Sequence, residues 1–523
     1  MIGKDVPYTL LQSIVDIPEP ELRLGLTHLQ SAEFLYETTV FPDPEYTFKH
    51  ALTHEVAYGG ILQERRRTIH ARITEAIETL YQKRLPEHLE RLAHHAVRGE
   101  LWEKAYNYLK QAGNRALTRS ANQEAINFFE QALDAIQRLP ESQVTIERAI
   151  DLRLELRSAL HPLGDFNRVL ETLRKAEALA QSLGDRRRHG RVLSYLAQSF
   201  RLTGDYQGAI DAGKQAVSIA QTFGDLAIQA PANFHLGQAF FHFGDHDRAI
   251  EFHLDNIRTL NGDLARDRLG MAGIPVVFSR GHLAWSLAEL GRFTEGVAAW
   301  REAVQLADEV KHPFSEAFAK YCGGFLYLRK GEIERAVEQL EPGLALCKSM
   351  NVRLEIPFVG AFLGFSYSLQ GRHRDGIALA TQAVDEMKSL NIVSGRSWLM
   401  GILAYTHLLA GELPKAAGLA QQANDLALEY GERGWTAWTK HVVGLIRLAE
   451  GETRFDEARK GFEEAMEIAR TLGLQPLLAR SELSLGQMYR RAQDKERAHT
   501  HLTNAAKLLG EMEMSFWLQK AQA

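Results

Sequence analysis

Apolar positions along most of this chain recur at the three- and four-residue intervals of helices that bury one face. The helical stretches come in pairs. Between the members of each pair stands a Gly followed by a polar residue: Gly164-Asp165, Gly204-Asp205, Gly244-Asp245, Gly291-Arg292, Gly331-Glu332, Gly371-Arg372, Gly411-Glu412 and Gly451-Glu452. Successive spacings are 40, 40, 47, 40, 40, 40 and 40 residues, a period that marks a repeat architecture. Upstream of the Gly a large apolar residue adjoins a small one, as in Leu236-Gly237, Leu283-Ala284, Leu363-Gly364 and Leu403-Ala404. The small residue lets a neighbouring helix approach. The Gly ends the first helix in a left-handed turn that costs it no Cβ clash. Five residues later a small residue opens the apolar face of the second helix: Ala209, Ala249, Gly296, Ala336, Gly376 and Ala416.

This pattern resembles the tetratricopeptide repeat, with a period of 40 residues in place of the usual 34. The resemblance implies an all-α, right-handed superhelical solenoid of about ten repeats over residues 86–523. Turns at Gly99-Glu100 and Ser120-Ala121 give an irregular start. Gln493-Asp494, with Ala498 and Ala505, gives a degenerate end. The seven extra residues of the 47-residue interval fall near Asn261 to Pro275 and predict a longer connection.

Two aromatic rows follow from aligning the repeats. Phe278, Phe318, Phe358, Trp398 and Trp438 stand 40 residues apart, and seven residues after each come Trp285, Phe325, Phe365, Tyr405 and Leu445. Seven residues is two helical turns, so both rows share one face of the first helix. In tetratricopeptide proteins that face lines the concave groove, and a peptide, protein or small effector bound there would meet these rings. The corresponding earlier positions, Ser158, Gln198 and Gln238, are polar. Rings of this kind also serve packing between long helices, and both readings stand.

The first 58 residues differ. Tyr8 to Val15 and Glu21 to Phe34 read as two short helices around Ile17-Pro18-Glu19-Pro20. Residues 34–48 read as a β-hairpin across Phe41-Pro42-Asp43-Pro44. That order predicts a small winged-helix-like α+β segment over residues 1–58. A long helix from about Thr53 to Tyr81, with residues 59–85 as the connection, would join it to the solenoid.

Tyr46-Thr47-Phe48-Lys49-His50-Ala51-Leu52-Thr53-His54-Glu55-Val56-Ala57-Tyr58 and Leu92-Ala93-His94-His95-Ala96-Val97-Arg98-Gly99-Glu100 resemble segments of bacterial signal-transduction ATPases fused to class III adenylate or guanylate cyclases. In that family a cyclase domain, an ATPase domain, a winged helix and a tetratricopeptide solenoid follow in order, and this chain looks like the last two parts. The resemblance implies an ATPase or cyclase module as partner, in cis or in trans. By analogy it makes His50 a nucleotide-sensing residue. No GxxxxGK[S/T] phosphate loop occurs in the sequence, so no catalytic residue is assigned and no cofactor or metal is expected.

Composition narrows the classes further. A net charge of −5 gives no general pull toward nucleic acid or an anionic membrane. Two cysteines, Cys322 and Cys347, make no disulfide framework and suit a reducing, cytoplasmic setting. No apolar run reaches membrane-spanning length. His50 and His54 are spaced for one helix face but lack the HExxH order. The histidine run His235, His242, His246 and His253 has no Cys or carboxylate company of metal-ligand spacing. The basic runs Arg65-Arg66-Arg67 and Arg186-Arg187-Arg188 read as solvated helix surface rather than as nucleic-acid contacts. The sequence therefore predicts a non-catalytic interaction or sensor solenoid. Two alternatives are the regulatory part of an ATP-dependent transcription activator, and an enzyme whose centre has no recognisable motif.

Overall fold

Where the repeat demands a turn, the backbone enters the left-handed region that glycine adopts freely: φ is +93° at Gly244 and +91° at Gly331. Four of these turns carry a further device. Asp165, Asp205, Asp245 and Asp494 each accept the backbone N–H three residues on, from Arg168, Gly208, Arg248 and Arg497. Such a cap satisfies an N–H that the first helical turn leaves open, and is worth about 1 kcal/mol.

The computed structural model describes residues 1–3, 5–39 and 43–523. They form two compact units, Met1–Leu160 and His161–Ala523. In unit 1, β1 (Asp5–Pro7), α1 (Tyr8–Ile14), α2 (Glu19–Ser31), β2 (Leu35–Thr39) and β3 (Glu45–Phe48) precede the helices α3 (Ala51–Gly59), α4 (Gln63–Leu80), α5 (Leu89–Arg98), α6 (Trp102–Thr118), α7 (Asn122–Gln137) and α8 (Gln143–Leu160). The expected helices and hairpin strands are present. The sheet also has a third member that the sequence pattern did not predict: β1 pairs antiparallel with β3, giving the order β1-β3-β2. Part of the Pro-rich hairpin turn, Phe41-Pro42, lies outside the described residues. Tyr8, Leu22, Leu26, Leu35 and Tyr46 make the core beneath the sheet.

The single helix expected from Thr53 to Tyr81 is instead two, α3 and α4. Gly59-Gly60 ends the first, and the Arg66 guanidinium donates to the freed carbonyls of Gly59 and Ile61 at 2.8 and 2.6 Å. A 3₁₀ turn over Gln82–His88, with Pro86 inside it, follows α4. Packing in this unit continues through the first irregular repeat to Leu160, so the compact units do not divide at residue 85.

Unit 2 begins with α9 (Phe166–Leu183). Among the described residues it continues as eight helical hairpins: α10 (Arg186–Leu202) with α11 (Tyr206–Phe223), α12 (Leu226–Phe243) with α13 (His246–Thr259), α14 (Pro275–Glu289) with α15 (Phe293–Val310), α16 (Pro313–Lys330) with α17 (Ile333–Ser349), α18 (Ile356–Leu369) with α19 (His373–Ser389), α20 (Arg396–Leu409) with α21 (Leu413–Glu429), α22 (Arg433–Glu450) with α23 (Phe455–Leu472), and α24 (Gln475–Arg491) with α25 (Lys495–Glu511). The short α26 (Ser515–Gln522) follows. The longer connection expected from the 47-residue interval runs between Thr259 and Pro275.

The two helices of a hairpin are built differently. In α21 only Ala416, Ala420, Ala423 and Ala427 are buried, a narrow stripe of one face. In α20 every residue from Ser397 to His407 is buried. A helix apolar all round belongs in an interior. Small residues set the distance within a hairpin: a Cβ on Gly364 in α18 would come 2.7 Å from the Gly376 carbonyl oxygen in α19. The backbones themselves are in contact there.

Candidate functional site

Unit 2 winds so tightly that successive superhelical turns touch. The Tyr206 hydroxyl, at the start of α11, donates to the Glu432 carboxylate, 226 residues on at the start of α22. Glu432 also accepts the Ser397 hydroxyl and, at 3.2 Å, the Gly395 N–H. The Val393 N–H donates to the Leu202 carbonyl at 2.9 Å. At Gly204 a Cβ would lie 2.6 Å from the Tyr430 ring. Half as many residues separate Trp285 from Trp398, and these two indoles meet edge to face with centroids 5.9 Å apart. Rings half a superhelical turn apart thus touch across the axis, and the channel is filled.

That winding decides where the aromatic rows lie. Phe278, Trp285, Phe318, Phe325, Phe365, Trp398, Tyr405 and Trp438 are buried in one core, and Phe358 is partly buried against it. They contact one another at tilted angles, with centroids 4.5 Å apart for Phe278 and Phe318, 4.6 Å for Trp285 and Phe325, and 5.1 Å for Phe365 and Tyr405. At these positions the facing wall is within van der Waals reach, and the rings expected to line the concave groove pack against one another in the interior. The polar positions Gln198 and Gln238 of the earlier repeats stay partly exposed, and Gln238 meets the His282 ring nitrogen at 3.0 Å.

Charged groups lie inside this aromatic core. Arg329, in the last turn of α16, donates from Nε to Glu289 of α14 at 2.7 Å. Its guanidinium lies 5.1–5.8 Å from the ring centroids of Phe325, Trp398, Trp435 and Trp438. Arg480 of α24 donates to the Tyr405 hydroxyl at 3.2 Å and stacks 4.2 Å from the Trp517 ring of α26. Loss of water raises the Glu289 carboxyl above the usual range, against the pull of Arg329, and lowers the Arg480 guanidinium. Four nitrogens here have no hydrogen-bond partner: one terminal nitrogen of Arg329, Nε of Arg480, and the indole nitrogens of Trp438 and Trp517. All four residues line one cavity, together with Phe325, Phe365 and Trp398. Its free space of ≈10 Å³ is about that of one water molecule.

Sequence reasoning missed Glu289, Arg329 and Arg480. The signal was a charge set within, or at the end of, a run of residues that pack on every side of the helix. Arg329 follows the buried run from Tyr321 to Leu328, and Arg480 lies within a buried run of α24.

In unit 1, His50 caps α3 with its backbone, and its side chain is exposed and bonds nothing in that turn. His54 instead lines a cavity of ≈430 Å³ with Tyr58, His70, Glu90, Arg91, His94, His95 and Arg98. The two sequence segments singled out above therefore meet at one place. The Tyr58 hydroxyl lies 3.3 Å from His70 Nε2 and accepts from Arg98 at 3.3 Å, while His70 Nδ1 lies 2.8 Å from His95 Nδ1. Burial, aided by neighbouring positive groups, holds His70 down to about 4 and His95 to about 3. One neutral imidazole thus donates to the other.

The basic runs are engaged locally: Arg67 with Glu100, Arg66 with backbone carbonyls and the Tyr58 ring, and Arg187 with Asp225. Among the described residues no group of three or more His, Cys, Asp or Glu has a metal-holding arrangement, and no helix is long and apolar enough to cross a membrane. Large apolar side chains left in water concentrate in the first 80 residues, at Leu24, Phe34, Tyr36, Leu52, Val56 and Leu62 among others.

No protein-family model matches the chain. An uncharacterised protein of Rhizobium meliloti (strain 1021) is 24% identical over 502 residues, covering 93% of this chain and 48% of its own length. The chain therefore spans about half the length of that curated relative. Among solved structures, a Rap protein complexed with competence and sporulation factor superposes with a TM-score of 0.52 at 12% identity, over 70% of this chain and 98% of its own. A signal-transduction ATPase with a tetratricopeptide repeat sensor from Pyrococcus horikoshii gives a TM-score of 0.36 at 12% identity, over 91% of this chain and 63% of its own. Only the first superposes closely enough to compare folds, and at such identity the likeness is one of fold alone. Repeat spacing, helix pairing and that likeness agree: the chain is a tetratricopeptide-like helical solenoid preceded by a small three-stranded α+β segment.

Proposed function

We propose that this chain is a non-catalytic sensor solenoid that regulates a signalling ATPase or nucleotide cyclase, in cis or in trans. Unit 1, read as a winged-helix-like module, docks on the catalytic module. Unit 2 takes an effector, either a peptide, a protein segment or a small molecule, into its aromatic interior. The observation that carries this reading is the exposure of Leu52, Val56 and Leu62, at 69, 68 and 80%, beside the near-complete burial of apolar side chains in the solenoid. Exposed large apolar groups gathered in one segment mark a protein interaction site. Coupling then requires the effector to favour one of two conformations of the solenoid.

The experiment is affinity capture from native lysate with the full chain and with a Leu52→Glu/Val56→Glu variant, followed by mass spectrometry. Capture of an ATPase or cyclase by the wild type and its loss in a folded variant supports the reading. Equal capture by both, or capture of neither enzyme class, sinks it.

A further inference from the structure

We propose that the cavity ringed by Arg329, Trp398, Trp438, Arg480 and Trp517 is a binding site for a carboxylate group of the effector. This deepens the reading above and rests on unit 2 being the sensing element. Four N–H donors with no partner belong to residues that line one small space: one terminal nitrogen of Arg329, Nε of Arg480 and the indoles of Trp438 and Trp517. A buried donor left without an acceptor is costly, and native interiors rarely keep several together. An acceptor is what the site lacks.

The charge balance specifies the acceptor. Two guanidiniums face one carboxylate, Glu289, which Arg329 already engages at 2.7 Å. Lys520 adds a further positive group 5.0 Å from the Trp517 ring. The excess is positive, so an anionic group is what completes the site. Arg presents a planar fork that suits a carboxylate. The aromatic walls disfavour a dianion that would have to shed much more water, such as phosphate.

Entry requires a movement, because the free space is only ≈10 Å³. Trp517 is the natural door. Its ring covers the Arg480 guanidinium at 4.2 Å, and it is carried by the short helix α26. Its indole also closes on the turn at Gly331, where a Cβ would stand 3.0 Å from the ring. An incoming carboxylate passes to Arg480 as that ring swings out, and the ring closes over it again with its N–H available to the bound group.

The full chain is titrated with sodium acetate, acetamide, inorganic phosphate, and tetra-alanine with a free or an amidated C-terminus. Tryptophan fluorescence is read, since Trp398, Trp438 and Trp517 line the cavity. The expected result is a saturable change with acetate and none with acetamide or phosphate. Arg480→Met, which keeps the packing stem, abolishes it. Trp517→Phe, which keeps a ring but removes the N–H, weakens it about tenfold. Tighter binding of free-terminus tetra-alanine than of acetate assigns the carboxylate to a peptide, and acetate alone assigns it to a small acid. No saturable change with any carboxylate, an equal response to acetamide or phosphate, or an unchanged response in folded Arg480→Met overturns the proposal. These outcomes concern unit 2 only and leave the capture experiment on unit 1 to stand or fall separately.

Discussion

In the N-terminal unit Leu52, Val56 and Leu62 stand in water, whereas the C-terminal unit keeps Glu289 and Arg480 only 7 and 8% exposed. Each region departs from ordinary burial, in opposite directions. An exposed leucine forgoes about 25 cal/mol for each Å² it might have buried, a small loss that a partner surface restores. A buried ion costs several kcal/mol before its pairing is counted, and the stability of the fold alone does not require it. The first departure points outward, to a protein that covers the face. The second points inward, to a group that completes the chamber.

Acid should separate the two regions most strongly. In the C-terminal unit His242, His246, His253, His282 and His441 are buried, and loss of water lowers all of them, His246 and His253 to about 3. They are neutral in the fold, so their contribution is intact above the unfolded value near 6.5 and is lost as pH falls below it. For His246 and His253 the contribution lost at pH 5 is about 2 kcal/mol each. Glu355, pushed up to about 7 by burial, has the opposite sign, as have Glu289 and Glu432, which burial also raises: they take up protons in the fold first and offset part of the five histidines' effect. The histidines win. Among the described residues of the N-terminal unit, His70 and His95 are held to about 4 and 3 and His88 and His94 are lowered as well; they are fewer and less completely buried, so this unit should lose less. Thermal melts between pH 7.5 and 5 should show the C-terminal unit falling further, and equal falls would contradict this burial of neutral imidazoles.

The next test concerns the rings. Trp398 stacks on Trp435 at 4.1 Å and 10° and is 1% exposed. Trp398→Ala should lower stability by about 3–5 kcal/mol in urea unfolding. A change below about 0.5 kcal/mol is what a groove-lining ring would give, and would reopen the channel as a solvent-lined groove.

This point marks where the sequence stopped being legible. The 40-residue period located the Gly turn inside each helix pair, the pairing itself and the longer connection before Pro275, because each depends on local chemistry; the left-handed turns between pairs, such as Gly184 and Gly224, it did not. It also put Phe325 and Trp398 on one helix face. Whether that face looks into water depends on how tightly the hairpins wind, and winding is set by contacts such as Tyr206 to Glu432, 226 residues apart. A trace of the answer was present in α20, which is apolar on every side rather than along one stripe. In the first unit β1 escaped notice because three residues, ending in Pro7, hold too little pattern. The α3–α4 break was signalled by Gly59-Gly60.

A smaller difference should appear when the buried pair is dismantled in steps. Arg329→Met alone leaves Glu289 charged and unpaired, at a cost of about 3 kcal/mol or more. Adding Glu289→Gln should recover most of that, since no buried charge then lacks its partner. A double variant no more stable than Arg329→Met would mean that the lost contacts with the Phe325, Trp398, Trp435 and Trp438 rings, not the uncompensated charge, set the cost.

The smallest expected effect is the most telling for the comparison. Leu52 and Val56 already stand in water, so Leu52→Glu and Val56→Glu replace one solvated side chain with another, and unfolding should shift by no more than about 0.5 kcal/mol. If both variants keep their melting behaviour and lose a captured enzyme, the exposed face exists for that contact. A large loss of stability would mean that these side chains pack in solution against something within the chain. The face would then be part of its own core, and the outward half of the comparison would fail while the inward half, tested at Arg480, remained.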